Sequence, residues 1–423
     1  MPSYNYIIIL ISLSAFFAYL NQRFIKLPFV IGLFFLSSLF SLVALVLKSY
    51  YSVPFDQIRE LVINTDISKS VLNIFLGFLL FAGSMHTNWF TLRKYLKDIT
   101  VLALGGVIFS TLFVAVAFFY VAHWLGLEIP FLYCLIFGAL ISPTDPIAVL
   151  SILKQADVPE KIEVTLVGES LFNDGVGVVI FIALTQMISA GAVVFDFPHF
   201  GFLFLQEAGG GIVFGLVLGY ILHYLLKSIN HYETEVLLTL AFVMLGYFIS
   251  AQIHISGALA MVIMGLMVGN FRKDVAMSNE TKEYVAKFWE LLEIILNALL
   301  FLLIALVLVV LDFNLKYMVL GVLTILILMV SRYFTVNIPR KTSLTVLKMP
   351  KPEADVIILG GLRGGLSLAL VLSLPASEVK DVLLIVTYIC VAFSVLVQGT
   401  TIGTLAKKIL RKMQPSWEKS ARH

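Results

Sequence analysis

The sequence predicts an all-α protein that crosses a membrane many times. Its 423 residues are 60% hydrophobic and only 13% charged, and the mean hydropathy is +0.99. Water-soluble domains are about 45–50% apolar and about 25% charged. Apolar runs of about 17–25 residues recur between short polar breaks, and each is long enough to cross the bilayer as a helix. These observations exclude a soluble globular domain.

Counting the apolar runs gives about thirteen transmembrane helices. The first run lacks a basic flank and a clear cleavage site, so we expect a retained helix rather than a signal peptide. Most of the 29 lysine and arginine residues fall in alternate connections and in the C-terminal tail. The positive-inside rule then predicts an outward N-terminus and a cytoplasmic C-terminus. The predicted spans are 4–22, 28–47, 70–86, 99–124, 131–153, 162–190, 204–226, 234–253, 255–270, 288–311, 315–338, 354–375 and 382–406.

Two of the predicted helices are interrupted. The fifth is broken at Ser142–Pro146 (SPTDP), and the twelfth at Gly360–Gly365 (GGLRGG). If helices 1–6 and 8–13 form two six-helix repeats, the broken helix is the fifth helix of each repeat. Corresponding helices are then seven crossings apart, and because seven is odd the second repeat is inverted in the membrane. Paired interruptions of this kind point to a transporter site, with helices 5 and 12 crossing at the membrane midplane.

The same pattern predicts the domain organisation. We expect one transmembrane domain over residues 1–410, with repeat one at about 1–190 and repeat two at about 230–410. Residues 411–423 are expected to form a short basic cytoplasmic tail, and the basic stretch Lys407–Lys412 (KKILRK) is expected to bind anionic lipid.

The charges at the two breaks have an electrostatic explanation. An interrupted helix leaves a partly positive N-terminus and a partly negative C-terminus in a medium of low dielectric constant. Asp145 is expected to compensate the N-termini, with Pro146 suited to the first helical position. Arg363 is expected to compensate the C-termini.

The sixth predicted helix carries two carboxylates in the stretch GESLFND. A charge at the bilayer centre costs about 2.5–3.5 kcal/mol on insertion scales, so each needs a partner or a function. Ser170 and Asp174 are four residues apart and share a helix face, where they offer hard oxygen ligands to a small cation. The adjacent Asn173 is expected to hydrogen-bond across to the broken fifth helix.

The other carboxylate, Glu169, lies about 140° from Asp174 around the helix axis. A buried arginine is its expected partner, and Arg332 in the eleventh predicted helix is the candidate. We interpret this pair as a structural ion pair.

Four stretches together carry a family resemblance: ISPTDPIAVL, GESLFNDGVGVV, SRYFTV and GGLRGGLSLAL. Their order and spacing resemble those of the bacterial NhaP-type sodium/proton antiporters, which are relatives of the animal sodium/proton exchangers. The resemblance covers essentially the whole membrane domain. It implies thirteen helices, a core domain that moves against a dimerisation domain, and a homodimer.

The resemblance also implies roles for individual residues. Asp174 would bind the cation and the proton in turn. Na⁺ would be held by Asp174, Ser170 and the backbone carbonyl of Thr144, with Asp145 acting through water. Asn173 would occupy the position that, in this family, accompanies electroneutral exchange.

The resemblance assigns Glu169 and Arg332 as the family's structural pair. One departure concerns the third predicted helix. Many relatives have a glutamate in a pattern like LLFEG that helps form the ion site, whereas this chain has Ala82 in LLFAG. The ligand shell of the cation is therefore expected to lose a carboxylate oxygen at this position and to gain a water molecule instead. Four further acidic residues lie near segment ends, where either an access funnel or a solvated face is expected: Glu207, Glu290, Glu293 and Asp355.

These features predict a secondary active transporter that exchanges Na⁺, and also Li⁺, for H⁺ by alternating access. The exchange is expected to be electroneutral because one carboxylate binds either ion. A K⁺/H⁺ antiporter would use the same residues. A sodium-coupled solute symporter lacks a distinct substrate pocket in the sequence, and buried carboxylates favour binding over a continuous pore. A membrane aspartyl protease would use Asp145 and Asp174, but Asp145 precedes a helix-breaking proline.

Other classes of partner are not indicated. The net charge of +3 is too small to suggest a nucleic-acid partner, and no zinc, phosphate-loop or nucleophile motif appears, so neither an enzymatic activity nor a cofactor is expected. The expected partners are Na⁺, H⁺, membrane lipid and a second copy of the chain. The expected location is the bacterial inner membrane.

Overall fold

The computed structural model describes residues 2–47, 65–145, 158–191, 194–270, 279–309, 311, 314–342, 347 and 349–411. Helices and short connections account for these ranges, which contain no strand. Three π-helical turns, at Asn21–Ile25, Val101–Gly105 and Ser394–Gln398, extend α-helices. The α-helices are α1 (Pro2–Leu20), α2 (Phe29–Leu47), α3 (Thr65–Met85), α4 (Trp89–Lys94), α5 (Leu96–Thr100), α6 (Gly106–Trp124), α7 (Phe131–Ile141), α8 (Glu160–Ser189), α9 (Phe197–Ser228), α10 (Tyr232–Gln252), α11 (Gly257–Gly269), α12 (Asn279–Val307), α13 (Leu315–Lys341), α14 (Lys351–Leu359), α15 (Gly365–Ser373), α16 (Glu378–Phe393) and α17 (Gly399–Arg411).

The helices have the length and composition of membrane spans. Within the described residues, 9 are long and apolar enough to cross a bilayer, and three shorter apolar helices accompany them. Large apolar side chains cover the outer surface: Phe202, Leu205 and Tyr220 of α9 are between 65% and 70% exposed. Such a surface is stable against lipid and not against water. The predicted all-α, multi-pass membrane fold is confirmed, while the count of thirteen crossings and the inverted repeats stay predictions.

The helices pack into two bundles. The broken-helix bundle consists of α6–α8 and α13–α17, in which α6 packs on α7 and α13, and α16 packs on α13 and α15. The companion bundle consists of α1–α3 and α9–α12, in which α11 packs on α3 and α9, and α12 packs on α2 and α3. The bundles meet where α8 packs on α9 and α11, and where α15 packs on α3 and α12.

Small residues allow the closest helix contacts in the companion bundle. A Cβ atom on Gly215 of α9 would lie 2.6 Å from the carbonyl oxygen of Ala260 on α11. On the other side of α11, a Cβ atom on Gly265 would lie 2.5 Å from the carbonyl oxygen of Phe81 on α3. Helices in lipid associate through such close backbone approach, since lipid removes the hydrophobic drive between them. The glycines therefore fix α11 between its two neighbours.

Both predicted interruptions begin where the sequence places them. α7 ends at Ile141 and the chain is non-helical through Asp145, as expected where Pro143 cannot donate a backbone hydrogen bond. The second half of the predicted fifth helix, with Pro146, lies outside the described residues. The other break is complete: α14 ends at Leu359, and α15 begins at Gly365.

Candidate ion-binding site

The two breaks contact each other inside the broken-helix bundle. The backbone N–H of Asp145 donates to the carbonyl of Leu362 at 2.8 Å. The Arg363 guanidinium donates from Nη1 to the carbonyls of Ser142 at 2.7 Å and Pro143 at 3.3 Å. Each break therefore satisfies backbone groups that the other one frees. Without these bonds the freed groups would be unpaired in hydrocarbon, which costs several kcal/mol each.

The charged residue of each break also lies at a helix terminus of the other. Arg363 is 4% exposed and reaches the carbonyls that follow the C-terminus of α7. The Asp145 carboxylate lies at the N-terminus of α15, where a Cβ atom added to Gly364 would be 2.3 Å from its Oδ2 atom. A cation at a helix C-terminus and an anion at an N-terminus both oppose the local dipole charge. The two charges lie where dipole compensation would place them, and that role stays a prediction.

One face of α8 binds the first break. The Ser170 hydroxyl donates to the carbonyl of Thr144. The Asn173 amide donates from Nδ2 to the Thr144 hydroxyl at 2.8 Å, and its Oδ1 atom accepts the Thr144 backbone N–H at 3.3 Å. All three residues are at most 4% exposed. These bonds hold the Thr144 carbonyl, the Ser170 hydroxyl and α8 in one rigid arrangement.

The face of α8 next to Asn173, turned away from Asp174, contains a closed ion pair. The guanidinium of Arg332 contacts both carboxylate oxygens of Glu169, with Nη2 donating to Oε2 at 2.9 Å. The same Nη2 atom donates to the carbonyl of Ile357 on α14 at 2.9 Å. Glu169 is 1% exposed and Arg332 is 6% exposed. The pair joins α8, α13 and α14 through a bidentate, fully desolvated contact, which is the strong form of a salt bridge.

A cavity of about 520 Å³ separates the two bundles and reaches Asp174. The broken-helix bundle contributes Thr144, Asp145, Ser170, Asp174 and residues at the start of α15 to its wall. The companion bundle contributes one face of α3 and one face of α12. At its other end the cavity is lined by residues of the connection after α3, of α4 and of the first turn of α8: His86, Thr87, Asn88, Thr91, Glu160 and Glu163. It therefore leads from one end of the molecule to the crossing of the breaks.

Asp174 is the half-buried carboxylate at the inner end of this cavity. It lies one turn after Ser170 on the same face of α8, and Asp145 is the charged group that acts on it electrostatically. No described residue donates a hydrogen bond to its carboxylate or forms an ion pair with it. The structure thus brings Asp174, Ser170, Thr144 and Asp145 to one wall, with Asn173 behind them, and keeps Glu169 and Arg332 away from the cavity.

Sequence reasoning gave less weight to the opposite wall. Glu293 and Asn297 of α12 line the cavity, whereas Glu290, one turn earlier, is exposed. Ala82 is 1% exposed and lies off the cavity wall of α3, which is formed by neighbours such as Gly83. The sequence feature that could have identified this wall is the spacing of four residues between Glu293 and Asn297. This spacing places two polar side chains on one face of a helix within an apolar segment.

The fold, the crossed breaks and the site residues lie within one known family. Residues 12–408 match the family model described as sodium/hydrogen exchanger, transmembrane. The chain belongs to the sodium/hydrogen exchanger family. It is 42% identical over 404 residues to the Na(+)/H(+) antiporter NhaP of Pseudomonas aeruginosa, covering 94% of this chain and 95% of that one. It is 35% identical over 343 residues to the Na(+)/H(+) antiporter NhaH of Halobacillus dabanensis, covering 80% and 83%.

A solved structure has the same fold. The sodium proton antiporter MjNhaP1 from Methanocaldococcus jannaschii at pH 8 superposes with a TM-score of 0.78 at 21% identity, covering 97% of this chain and 100% of that one. The resemblance inferred from the four sequence motifs is therefore confirmed. The relatives named here are transporters, so the expectation of a transporter rather than an enzyme is confirmed as well.

Proposed function

We propose that this member of the sodium/hydrogen exchanger family exchanges Na⁺ for H⁺, with Asp174 as the carboxylate that binds either ion. One observation carries the proposal. Asp174 faces a cavity at the crossing of two broken helices and has no hydrogen-bond or ion-pair partner among the described residues. A carboxylate kept at that depth without a protein partner needs a cation or a proton to neutralise it.

The surrounding oxygens suit a small, hard cation. Carboxylate, carbonyl and hydroxyl oxygens are the ligands that such ions prefer in proteins. Asp174, the Ser170 hydroxyl and the Thr144 carbonyl provide three, and Asp145 on the same wall provides a fourth through water. Asn173 fixes the backbone of Thr144 and carries no charge itself. Asp174 is the carboxylate of this set that has no partner among the described residues, so Na⁺ and H⁺ compete for it.

Competition at one carboxylate gives coupled exchange when only a loaded site crosses the membrane. The broken-helix bundle, which carries Asp174, would move against the companion bundle and expose the site to alternate sides. One positive charge crosses in each direction, so the membrane potential cancels. A tenfold proton gradient, about 1.4 kcal/mol, then sustains at most a tenfold Na⁺ gradient.

The orientation in the membrane follows from the basic connections. The open end of the cavity lies beside α4, which contains Arg93 and Lys94, and beside Lys161 in the first turn of α8. By the positive-inside rule this end faces the cytoplasm, so the structure is inward-open in a bacterial plasma membrane. The N-terminus is then outside and the C-terminus inside. We further propose two inverted repeats, the basic tail 411–423 on the membrane surface, and a homodimer formed through the companion bundle.

The test is proton movement in proteoliposomes. A pH-sensitive dye reports the dissipation of an imposed proton gradient on adding Na⁺, Li⁺ or K⁺, for the wild type and for Asp174→Asn. Na⁺ is expected to release the gradient in the wild type, and the variant is expected to be silent. Imposed membrane potentials are expected to leave the wild-type rate unchanged. If no cation moves protons across vesicles that contain folded wild-type protein, the proposal is wrong.

The residue at position 82 is the reason why K⁺ is included as an alternative substrate. Ala82 occupies the position at which many relatives carry a glutamate, so α3 adds no carboxylate to the site. A weaker field selects less strongly for the smaller ion. A larger response to K⁺ than to Na⁺ would make K⁺ the substrate.

A further inference from the structure

The wall of the cavity opposite Asp174 carries a second set of oxygen atoms. Glu293 and Asn297 are four residues apart on α12, and both line the cavity. Asn297 is only 4% exposed, yet its amide makes no hydrogen bond to any described residue. Glu293 likewise accepts no hydrogen bond and forms no ion pair within the described part of the chain. Buried amides are nearly always hydrogen-bonded, so an unpartnered one that faces a cavity indicates a ligand or water there.

The position of this set distinguishes it from the site already described. Asp174 belongs to the broken-helix bundle, whereas α12 packs on α2 and α3 in the companion bundle. The two carboxylates thus share one cavity but lie on opposite sides of the boundary between bundles. Asp145 and Glu290 are the other charged groups that act on Glu293, and both are acidic. His86 also lines the cavity, and the acidic group that acts on it is Glu290 rather than Glu293.

We propose that Glu293, with the Asn297 amide oxygen, is a second cation-binding set that determines Na⁺ affinity on the cavity-open side. This inference rests on the proposed function and concerns the same pathway. The cation reaches Asp174 while the carboxylate of the opposite bundle still acts on it. Glu293 thereby supplies from α12 the negative charge that α3, with Ala82, does not supply.

The arrangement has a directional consequence. Movement of the broken-helix bundle carries Asp174 away from α12, so Glu293 acts on the bound cation in one of the two states only. Removing its charge should weaken Na⁺ binding on one face of the membrane and leave the other face unchanged. A residue that merely stabilised the fold would change both faces or the maximal rate.

The experiment measures the half-saturating Na⁺ concentration separately on each face, in right-side-out and everted vesicles. Glu293→Gln is expected to raise the half-saturating Na⁺ concentration about tenfold on one face and less than about twofold on the other. Exchange is expected to be retained at saturating Na⁺. Asn297→Ala, which removes a neutral ligand, is expected to raise the half-saturating concentration about threefold on the same face. Glu290→Gln is the matched control, because it removes the same charge one turn away on the exposed side of α12.

The outcomes separate this proposal from the function on which it rests. Absence of Na⁺-driven exchange in the wild type contradicts the proposed function. Normal wild-type exchange with Glu293→Gln indistinguishable from Glu290→Gln overturns the role of Glu293. An equal change on both faces, or a lost maximal rate with unchanged half-saturation, overturns it as well. If Glu293→Gln does not fold, Asn297→Ala provides the test. A half-saturating Na⁺ concentration that Asn297→Ala leaves unchanged on both faces overturns the proposed role of Glu293 and Asn297.

Discussion

Glu169 and Asp174 lie five residues apart on α8, in different surroundings. Glu169 is 1% exposed and has both oxygens bound by Arg332. Asp174 faces a cavity of about 520 Å³ without a hydrogen-bond donor among the described residues. A buried charge persists either because a partner neutralises it or because a ligand does. The comparison teaches that the charge on one side of α8 is neutralised within the protein, whereas the proposed ion site requires a bound ion to neutralise the charge on the other side.

Arg332→Met is expected to have the largest effect on stability. It leaves the Glu169 carboxylate buried and uncompensated, and it removes the hydrogen bond to the Ile357 carbonyl. Breaking a buried pair by removing one partner costs about 3–5 kcal/mol. The expected result is a strongly lowered Tm of the detergent-solubilised protein. The control is Arg332→Met combined with Glu169→Leu, which is expected to recover most of the loss. A single variant as stable as the wild type would show that the pair is not structural.

Arg363→Met tests the contact between the two breaks. The variant removes the charged donor from the Ser142 and Pro143 carbonyls, and each such bond is worth about 1.5–3 kcal/mol. We expect a lower Tm together with slower exchange, because the Thr144 carbonyl follows the released segment. Arg363→Lys keeps the charge and is expected to be intermediate in both properties. Normal exchange in Arg363→Met would contradict the link between break geometry and the ion site.

Gly364→Ala tests the position of the Asp145 carboxylate. A Cβ atom at residue 364 would lie 2.3 Å from Asp145 Oδ2 and 2.5 Å from its Cβ, so the aspartate must move. We expect exchange to fall about tenfold, which corresponds to about 1.4 kcal/mol, with little change in Tm. Gly83→Ala is the matched control, since residue 83 lines the same cavity and a Cβ there meets nothing within 4 Å. Equal effects of the two variants would refute the interpretation.

Lys161→Met is expected to have the smallest effect. Lys161 Nζ lies 2.9 Å from Glu353 Oε2, and the two side chains are 24% and 10% exposed. Partly solvated ion pairs contribute about 0–1 kcal/mol. We therefore expect a small shift in Tm that shrinks further at high salt, with normal exchange. A loss of stability as large as that of Arg332→Met would remove the distinction between solvated and desolvated pairs.

The sequence was sufficient for the features that depend on local chemistry. Runs of apolar residues fix the helices because lipid leaves few other conformations open to the backbone. Pro143 lacks a backbone donor, and Gly360 and Gly361 disfavour the helical conformation next to a charged residue, so both breaks could be located. The pairing of Glu169 with Arg332 follows from charge balance, since each would be too costly in lipid alone.

The sequence was not sufficient for features that depend on how the bundles pack. The spacing of Glu293 and Asn297 places both on one face of α12, but it does not indicate that this face lines a cavity while Glu290 is exposed. The reciprocal placement of Arg363 and Asp145 at each other's helix ends also requires the three-dimensional crossing. The same holds for the position of Ala82 off the cavity wall. These facts arise from contacts between segments far apart in the chain.

The most direct test of the central comparison is a side-by-side measurement of Asp174→Asn and Glu169→Gln. Each substitution removes one negative charge from α8 with almost no change in shape. Na⁺-driven proton movement and Tm are measured for both in the same lipid and detergent. We predict that Asp174→Asn abolishes exchange and keeps the wild-type Tm, and that Glu169→Gln lowers the Tm while its folded fraction still exchanges. Retained exchange in Asp174→Asn, or a wild-type Tm in Glu169→Gln, would contradict the account.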